Sequence, residues 1–511
     1  LEATETSEGL APPQVEAVGG LSADGRLRTG RLAGLTMGAA IFTVAWPVLV
    51  DSVLGSLVGL VDTILAAGIS EPATDAVGDA SYLMWFIGLV FVALDVGATA
   101  LISRSIGAGR RAVANAAVGQ TMLLAAASGT LVGLLVFLMV PVLIQIMRME
   151  GQGAEAFHVY MRIIAVDSPI VATMYAGIAC LRGSGDSFRA MRALLVVNAV
   201  NMLVAWTLAG VDITSTSFHD GVATTRVLLH NPFPFKLGVA GIGIGTLTAH
   251  ATGAALVLAT LLRGSTILKL HVRRLRPHTV TMWRIVRVGL PNFFETIGMW
   301  FGNFLIVLVV GWMGAGLVGA HIIAIRIEAF SFQLGFAIAI AATTLTGQYL
   351  GAGSAAHARR AIVVCSALAA GVMGLMGIAF VLMPRTIVGL VSGQATHLAL
   401  TPQCLFITGM VQVPFAISIV LRQAMRGAGD VKVVMWITWI TTYACRLPLV
   451  YIFSGVDLPI PSALGGGVVH NPFGFTPSLR GLWIGLCSEI VFRAIAFGWR
   501  FIDGGWARKR V

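Results

Sequence analysis

Twelve apolar runs alternate with short polar stretches along the chain, at about 36–67, 77–102, 114–146, 156–181, 188–211, 238–263, 281–312, 315–348, 359–389, 396–424, 431–454 and 479–502. Each exceeds the roughly 20 residues a helix needs to cross a bilayer. The pattern predicts an all-α polytopic membrane protein with twelve transmembrane helices. Residues 1–34 are polar and carry Pro12 and Pro13, which predicts a disordered tail rather than a signal peptide. A basic linker over 264–280 separates an N-lobe at 35–263 from a C-lobe at 281–504, and 505–511 reads as a basic tail.

The two lobes repeat each other. Pro47 and Asp51 recur as Pro291 and Glu295, each shifted by 244. The same shift carries Gly107-Ala-Gly109 onto Gly351-Ala-Gly353, and Leu181-Arg-Gly-Ser-Gly-Asp186 onto Met425-Arg-Gly-Ala-Gly-Asp430. A shift of 240 carries His230-Asn-Pro-Phe-Pro-Phe235 onto His470-Asn-Pro-Phe-Gly-Phe475. Matches in register identify a duplicated half. Six spans per half make the repeats parallel, with a pseudo-two-fold axis along the membrane normal. Prolines 47 and 291 are candidate hinges within their spans. The long loops near 212–237 and 455–478 hold the His-Asn-Pro-Phe hexapeptides. An ordered turn seating the next helix is the expected form, with a folded flap as the alternative.

Composition fits this frame. The chain is 57% hydrophobic and 11% charged, with mean hydropathy +0.87, where a soluble chain has about 25% charged residues. The net charge of +11 does not form a nucleic-acid patch, because the basic residues fall in alternate loops. Arg26, Arg28 and Arg31, then Arg104, Arg110 and Arg111, then Arg182, Arg189 and Arg192 mark one side. Arg273, Arg274, Arg359, Arg360 and Arg508 continue it. The positive-inside rule then makes both termini cytoplasmic, in a plasma membrane or a bacterial inner membrane. The five cysteines show no metal-ligand spacing. No oligomer is demanded, so a monomer is expected.

Candidate chemistry lies in the acids within spans. A charge at the bilayer centre costs at least about 2.5–3.5 kcal/mol, so such a residue is a functional hypothesis by default. Asp51 and Asp62 are three helical turns apart, on nearly one face and roughly 16 Å apart along the axis. Asp95, Asp167, Asn198, Asn201, His321, Arg326, Glu328 and Arg446 are further polar residues within spans. The turns carrying Arg182 and Asp186, and Arg426 and Asp430, read as structural or gate elements, with both aspartates as N-caps. No His-Glu-x-x-His pair or nucleophile triad appears, so an enzyme is not expected and no cofactor is called for.

These residues resemble the multidrug and toxic compound extrusion (MATE) transporters, within the superfamily that also holds lipid-linked sugar flippases. The resemblance covers roughly 35–505. It rests on Pro47 followed by Gly59-Leu-Val-Asp62-Thr, on Leu181 to Asp186, on Gly319 to Phe332, on Ala342 to Gln348 with Gly351-Ala-Gly353, and on Arg446-Leu-Pro448. It implies two six-helix lobes around a central cleft and alternating access. It also implies export of organic cations or amphiphiles against protons or sodium. Asp62 matches the family's first-helix acid, with sodium near it if sodium is the coupling ion. Glu295 falls close to the seventh-helix acid of some branches. Asp51, Asn198, Asn201 and Glu328 complete the candidate coupling or substrate set. Ala205 and Phe415 stand where some members carry acids. The alternative keeps the fold and makes the cargo a lipid-linked saccharide, for which the spans offer few arginines.

Overall fold

The computed structural model describes residues 20–219, 222–264, 267–272, 275–314, 316–459 and 466–509. The N-half contributes α1 (Met37–Ile69), α2 (Glu71–Gly107), α3 (Arg111–Ile146), α4 (Gly151–Gly183), α5 (Ser187–Ala209) and α6 (Val239–Arg263). The C-half contributes α7 (Thr279–Trp312), α8 (Leu317–Gly351), α9 (Ala355–Leu382), a short α10 (Pro384–Val391), α11 (Ala395–Met410), α12 (Gln412–Gly427), α13 (Val431–Ile440), α14 (Leu447–Ser454) and α15 (Leu479–Asp503). Eleven stretches are long and apolar enough to span, and α11 with α12 forms a twelfth, bent by 60°. The predicted tenth span is thus a broken one. The eleventh is interrupted by a π-helical turn at Thr441–Arg446, between α13 and α14. Such bulges are rare and favour functional sites. Pro47 and Pro291 each lie inside an unbroken helix.

Local chemistry starts the helices. Thr36, Ser70, Ser354 and Ser478 accept backbone N–H bonds at the starts of α1, α2, α9 and α15. Large apolar side chains such as Leu131, Leu134 and Leu138 remain exposed on α3. Lipid, rather than water, is the solvent for that face.

The halves meet along α1 against α8 and α2 against α7 and α8. The seam is reciprocal at the arginine-rich end. A Cβ on Gly107 would strike the carbonyl of Gln348, and one on Gly351 would strike that of Arg104. Arg104 and Gln348 are themselves equivalent under the 244 shift. Arg104 donates to the Ala428 carbonyl at 3.1 Å, and Gln348 donates to that of Gly183 at 3.3 Å. Each second helix therefore grips the Arg-Gly-x-Gly-Asp turn of the other half.

The terminal segments differ from the sequence expectation. Residues 1–19 lie outside the described residues, but 20–34 pack as a strap across the seam rather than as a disordered tail. Leu27 and Leu32 are buried, Leu27 in a cluster with Tyr349 and Trp506. Thr29 donates to the Ile106 carbonyl at 2.7 Å. At the other terminus, Gly505–Arg508 form a 3-10 turn, Trp506 is buried, and Lys509 lies 3.4 Å from Asp430. The tail over 505–511 is docked as far as it is described; residues 510–511 lie outside. In the linker, Arg273 and Arg274 lie outside the described residues. Asn115 and Gln120 on α3 hold the backbone of Lys269, Arg276 and His278.

At the opposite end both long loops fold back. The first forms a hairpin, β1 (Ile213–His219) with β2 (Val222–Leu229), and the second a two-residue ladder, β3 (Leu458–Pro459) with β4 (Val468–Val469). The hexapeptides close both in the same way. His230 Nδ1 lies 3.0 Å from Asp212, and the Asn231 N–H donates to that carboxylate at 2.7 Å. His470 and Asn471 repeat both distances on Asp457. The backbone amide of Asn231, then His230, hold the Asp212 carboxyl below its ordinary range, and Asn471 and His470 do the same for Asp457. The structure combines the expected seating turn with a flap.

Candidate functional site

Helices α1, α4, α5 and α6 converge inside the N-half. Asp62 on α1 carries a buried Oδ1 with no hydrogen-bond partner. The His250 imidazole on α6 lies within electrostatic range of it. His250 in turn meets Asp167 of α4 at 2.6 Å through Nδ1. The Tyr160 phenol lies within electrostatic range of both Asp62 and Asp167. Asn201 of α5 donates to Thr246 of α6 at 3.1 Å. Asp167 Oδ1, Asn198 Nδ2 and Asn201 Oδ1 are also buried without partners. Buried polar groups in native proteins are almost always paired. Four orphans on α1, α4 and α5 therefore mark a region suited to exchanging a proton, a cation or water. Their oxygens are hard donors of the kind that suits a hard cation. Among the described residues, no group of three or more His, Cys, Asp or Glu could hold a metal ion.

Asp51 and Glu295, named with Asp62 as coupling or substrate candidates, are each held by an arginine. Arg182 on α4 binds Asp51 at 2.7 Å, and Arg426 on α12 binds Glu295 at 2.7 Å. Both pairs span 131 residues and superimpose under the 244 shift. The arginine of each turn thus takes the acid of its own half. Glu295 also accepts from Thr438 at 2.9 Å. Glu328 on α8 is occupied too, accepting from Thr408.

The two turn aspartates diverge. Asp186 caps α5 as predicted, accepting from the Arg189 N–H at 3.4 Å. Asp430 makes no side-chain cap on α13, because Arg500 of α15 claims it at 2.9 Å. His321 accepts the Trp483 indole N–H at 3.1 Å, a bond between α8 and α15.

Sequence reasoning passed over three members of these clusters. His250 sits in an apolar run without a motif, and Tyr160 reads as core. Glu489 on α15 is the third. It binds Arg446 at 2.9 Å and Arg493 at 2.7 Å. The spacing of four between Glu489 and Arg493 on one helix was the available signal.

Comparison with known proteins places this geometry in a family. The MatE family model matches residues 47–207 and 291–452, which are the two repeats. A probable multidrug resistance protein NorM of Thermotoga maritima is 26% identical over 478 residues, covering 92% of this chain and 93% of that relative. A crystal structure of MATE in the bent conformation superimposes with TM-score 0.80 at 20% identity, over 92% of this chain and 96% of that one. A multidrug resistance MATE family transporter of the MOP superfamily, in an outward-facing conformation, gives TM-score 0.78 at 20% identity, over 93% and 97%.

Proposed function

We propose, since the chain belongs to the MatE family, that it exports small organic cations or other amphiphiles in exchange for protons or sodium by alternating access. It is a transporter rather than an enzyme, and relatives named as multidrug resistance proteins support the substrate class. The observation that carries the reading is the group of buried, unpartnered polar atoms in the N-half, Asp62 Oδ1 among them.

In this reading Asp62 is the coupling acid. Ionised, its carboxylate attracts either a cationic substrate or the coupling ion, and the two compete. Asp167, His250, Asn198 and Asn201 supply the polar wall. Entry of a proton or sodium ion removes the net charge, weakens the substrate's hold and favours the return step. Such ligands shift the two states only through unequal affinity for them. Asp51 and Glu295 brace their halves through Arg182 and Arg426. The arginine-rich end is cytoplasmic by the charge rule, and its closed seam makes this an outward-facing form.

The test is equilibrium binding of tetraphenylphosphonium to the purified full chain. Binding should weaken at least tenfold as protons or sodium are added. Asp62→Asn should abolish that competition while the protein stays folded. A mutant with the parent's ion sensitivity would move the coupling site elsewhere.

A further inference from the structure

The C-half interior holds one more arginine than it holds carboxylates. Arg422, Arg426, Arg446 and Arg493 face three carboxylates, Glu295, Glu328 and Glu489. The oxygens of Glu489 and Glu295 are spoken for. Glu489 divides its two between Arg446 and Arg493. Glu295 gives one to Arg426 and the other to Thr438. Arg422 is left with Met299 Sδ at 3.6 Å and a Glu295 oxygen at 3.9 Å, beyond hydrogen-bond reach.

Arg422 and Arg426 are one helical turn apart on α12, so their like charges share a face. Both are more than nine-tenths buried, and the Nε of each is buried with no partner. Arginine cannot shed its proton to relieve this. Two buried guanidiniums sharing the single Glu295 carboxylate leave a net positive charge, which is costly out of water and favours an added anion. Two guanidinium edges match the two oxygens of a carboxylate better than they match a sphere.

We propose that Arg422 and Arg426 form an anion-binding site that takes a carboxylate group. The carboxylate arrives either as a small free acid or as the acid end of a zwitterionic compound. The site is built by α7 and α12 and shares no residue with the Asp62 region, so it stands or falls separately from the coupling assignment.

The test is thermal unfolding of the purified full chain at fixed ionic strength. Sodium acetate and the zwitterion glycine betaine are each titrated against a sodium methanesulfonate background. The expected result is a saturable rise in Tm with acetate, betaine or both, which identifies the source. Asp62→Asn should keep the response. Arg422→Gln, which removes a like charge and leaves Glu295 bound to Arg426, should fold at least as well as the parent. Its half-effect concentration should rise at least tenfold. Arg422→Lys keeps the charge without the fork and should fall between the two. The same Tm in all three solutes, or an unchanged response in both Arg422 variants, would overturn the proposal.

Discussion

The two halves descend from one repeat, yet their interiors carry opposite charge. The N-half interior holds Asp51, Asp62, Asp95 and Asp167, with Arg182 bound to Asp51 and His250 to Asp167. The C-half sets four arginines around three glutamates. What they share is the brace, an acid four residues after a proline bound to the arginine of the turn. What differs lies beside the brace. The N-half keeps an acid with an unpartnered oxygen at Asp62, while the C-half keeps at Arg422 a base held to Glu295 only at 3.9 Å. The duplication therefore fixed a scaffold, and the chemistry diverged on it.

The strongest way to break this comparison is to remove the braces one at a time. Arg426→Ala strands Glu295, which is almost fully buried, and should cost about 3–5 kcal/mol of stability. Arg182→Ala strands Asp51, which keeps a fifth of its side chain exposed, and should cost less, about 1–3 kcal/mol. Chemical denaturation in detergent would rank them, and equal losses would mean the two interiors are equally dry.

Where the halves remain alike, effects should match. Gly107→Ala and Gly351→Ala each force a methyl group into the carbonyl of the opposing helix. Each should destabilise the closed seam by about 1–3 kcal/mol. Cysteine crosslinking across the arginine-rich end would report this as a similar fall in yield for both. A fall in only one would show that the seam is not symmetric.

The smallest effect concerns the twin hairpins. Asp212 and Asp457 are held below the ordinary carboxylate range by the Asn231 and Asn471 amides and by His230 and His470. A depressed acid contributes its clamp fully above the unfolded value, near pH 4, and loses it as pH falls through the folded value. Hydrogen exchange at the Asn231 and Asn471 amides should therefore stay protected through pH 5 and loosen together only in stronger acid. Loss of protection already above pH 5 would show that the two carboxylates do not hold the clamp.

Much of the fold was legible because a bilayer enforces long apolar helices and the repeat supplies its own alignment. The strap at 20–34 was not. Its composition is that of a disordered segment, and only the seam it fills supplies the buried contacts of Leu27 and Leu32. The break between α11 and α12 was hidden for the opposite reason, since both pieces are apolar. At the site, Asp62 and Asn201 were readable as polar residues out of place. Thr246, which takes the Asn201 amide, and His250, which meets Asp167, come from another helix at separations no local pattern encodes. The fate of Asp51 and Glu295 was in principle visible, because the shift that aligns the acids also aligns Arg182 with Arg426.

Substrate efflux from reconstituted vesicles under imposed proton and sodium gradients tests the central claim most directly. Parent, Asp62→Asn and Glu295→Gln would be compared, each normalised to folded protein. The account predicts that Asp62→Asn loses gradient-driven efflux by at least about tenfold, while Glu295→Gln, though less stable, keeps its dependence on the gradient. Full gradient dependence in Asp62→Asn, or its loss in Glu295→Gln alone, would contradict it.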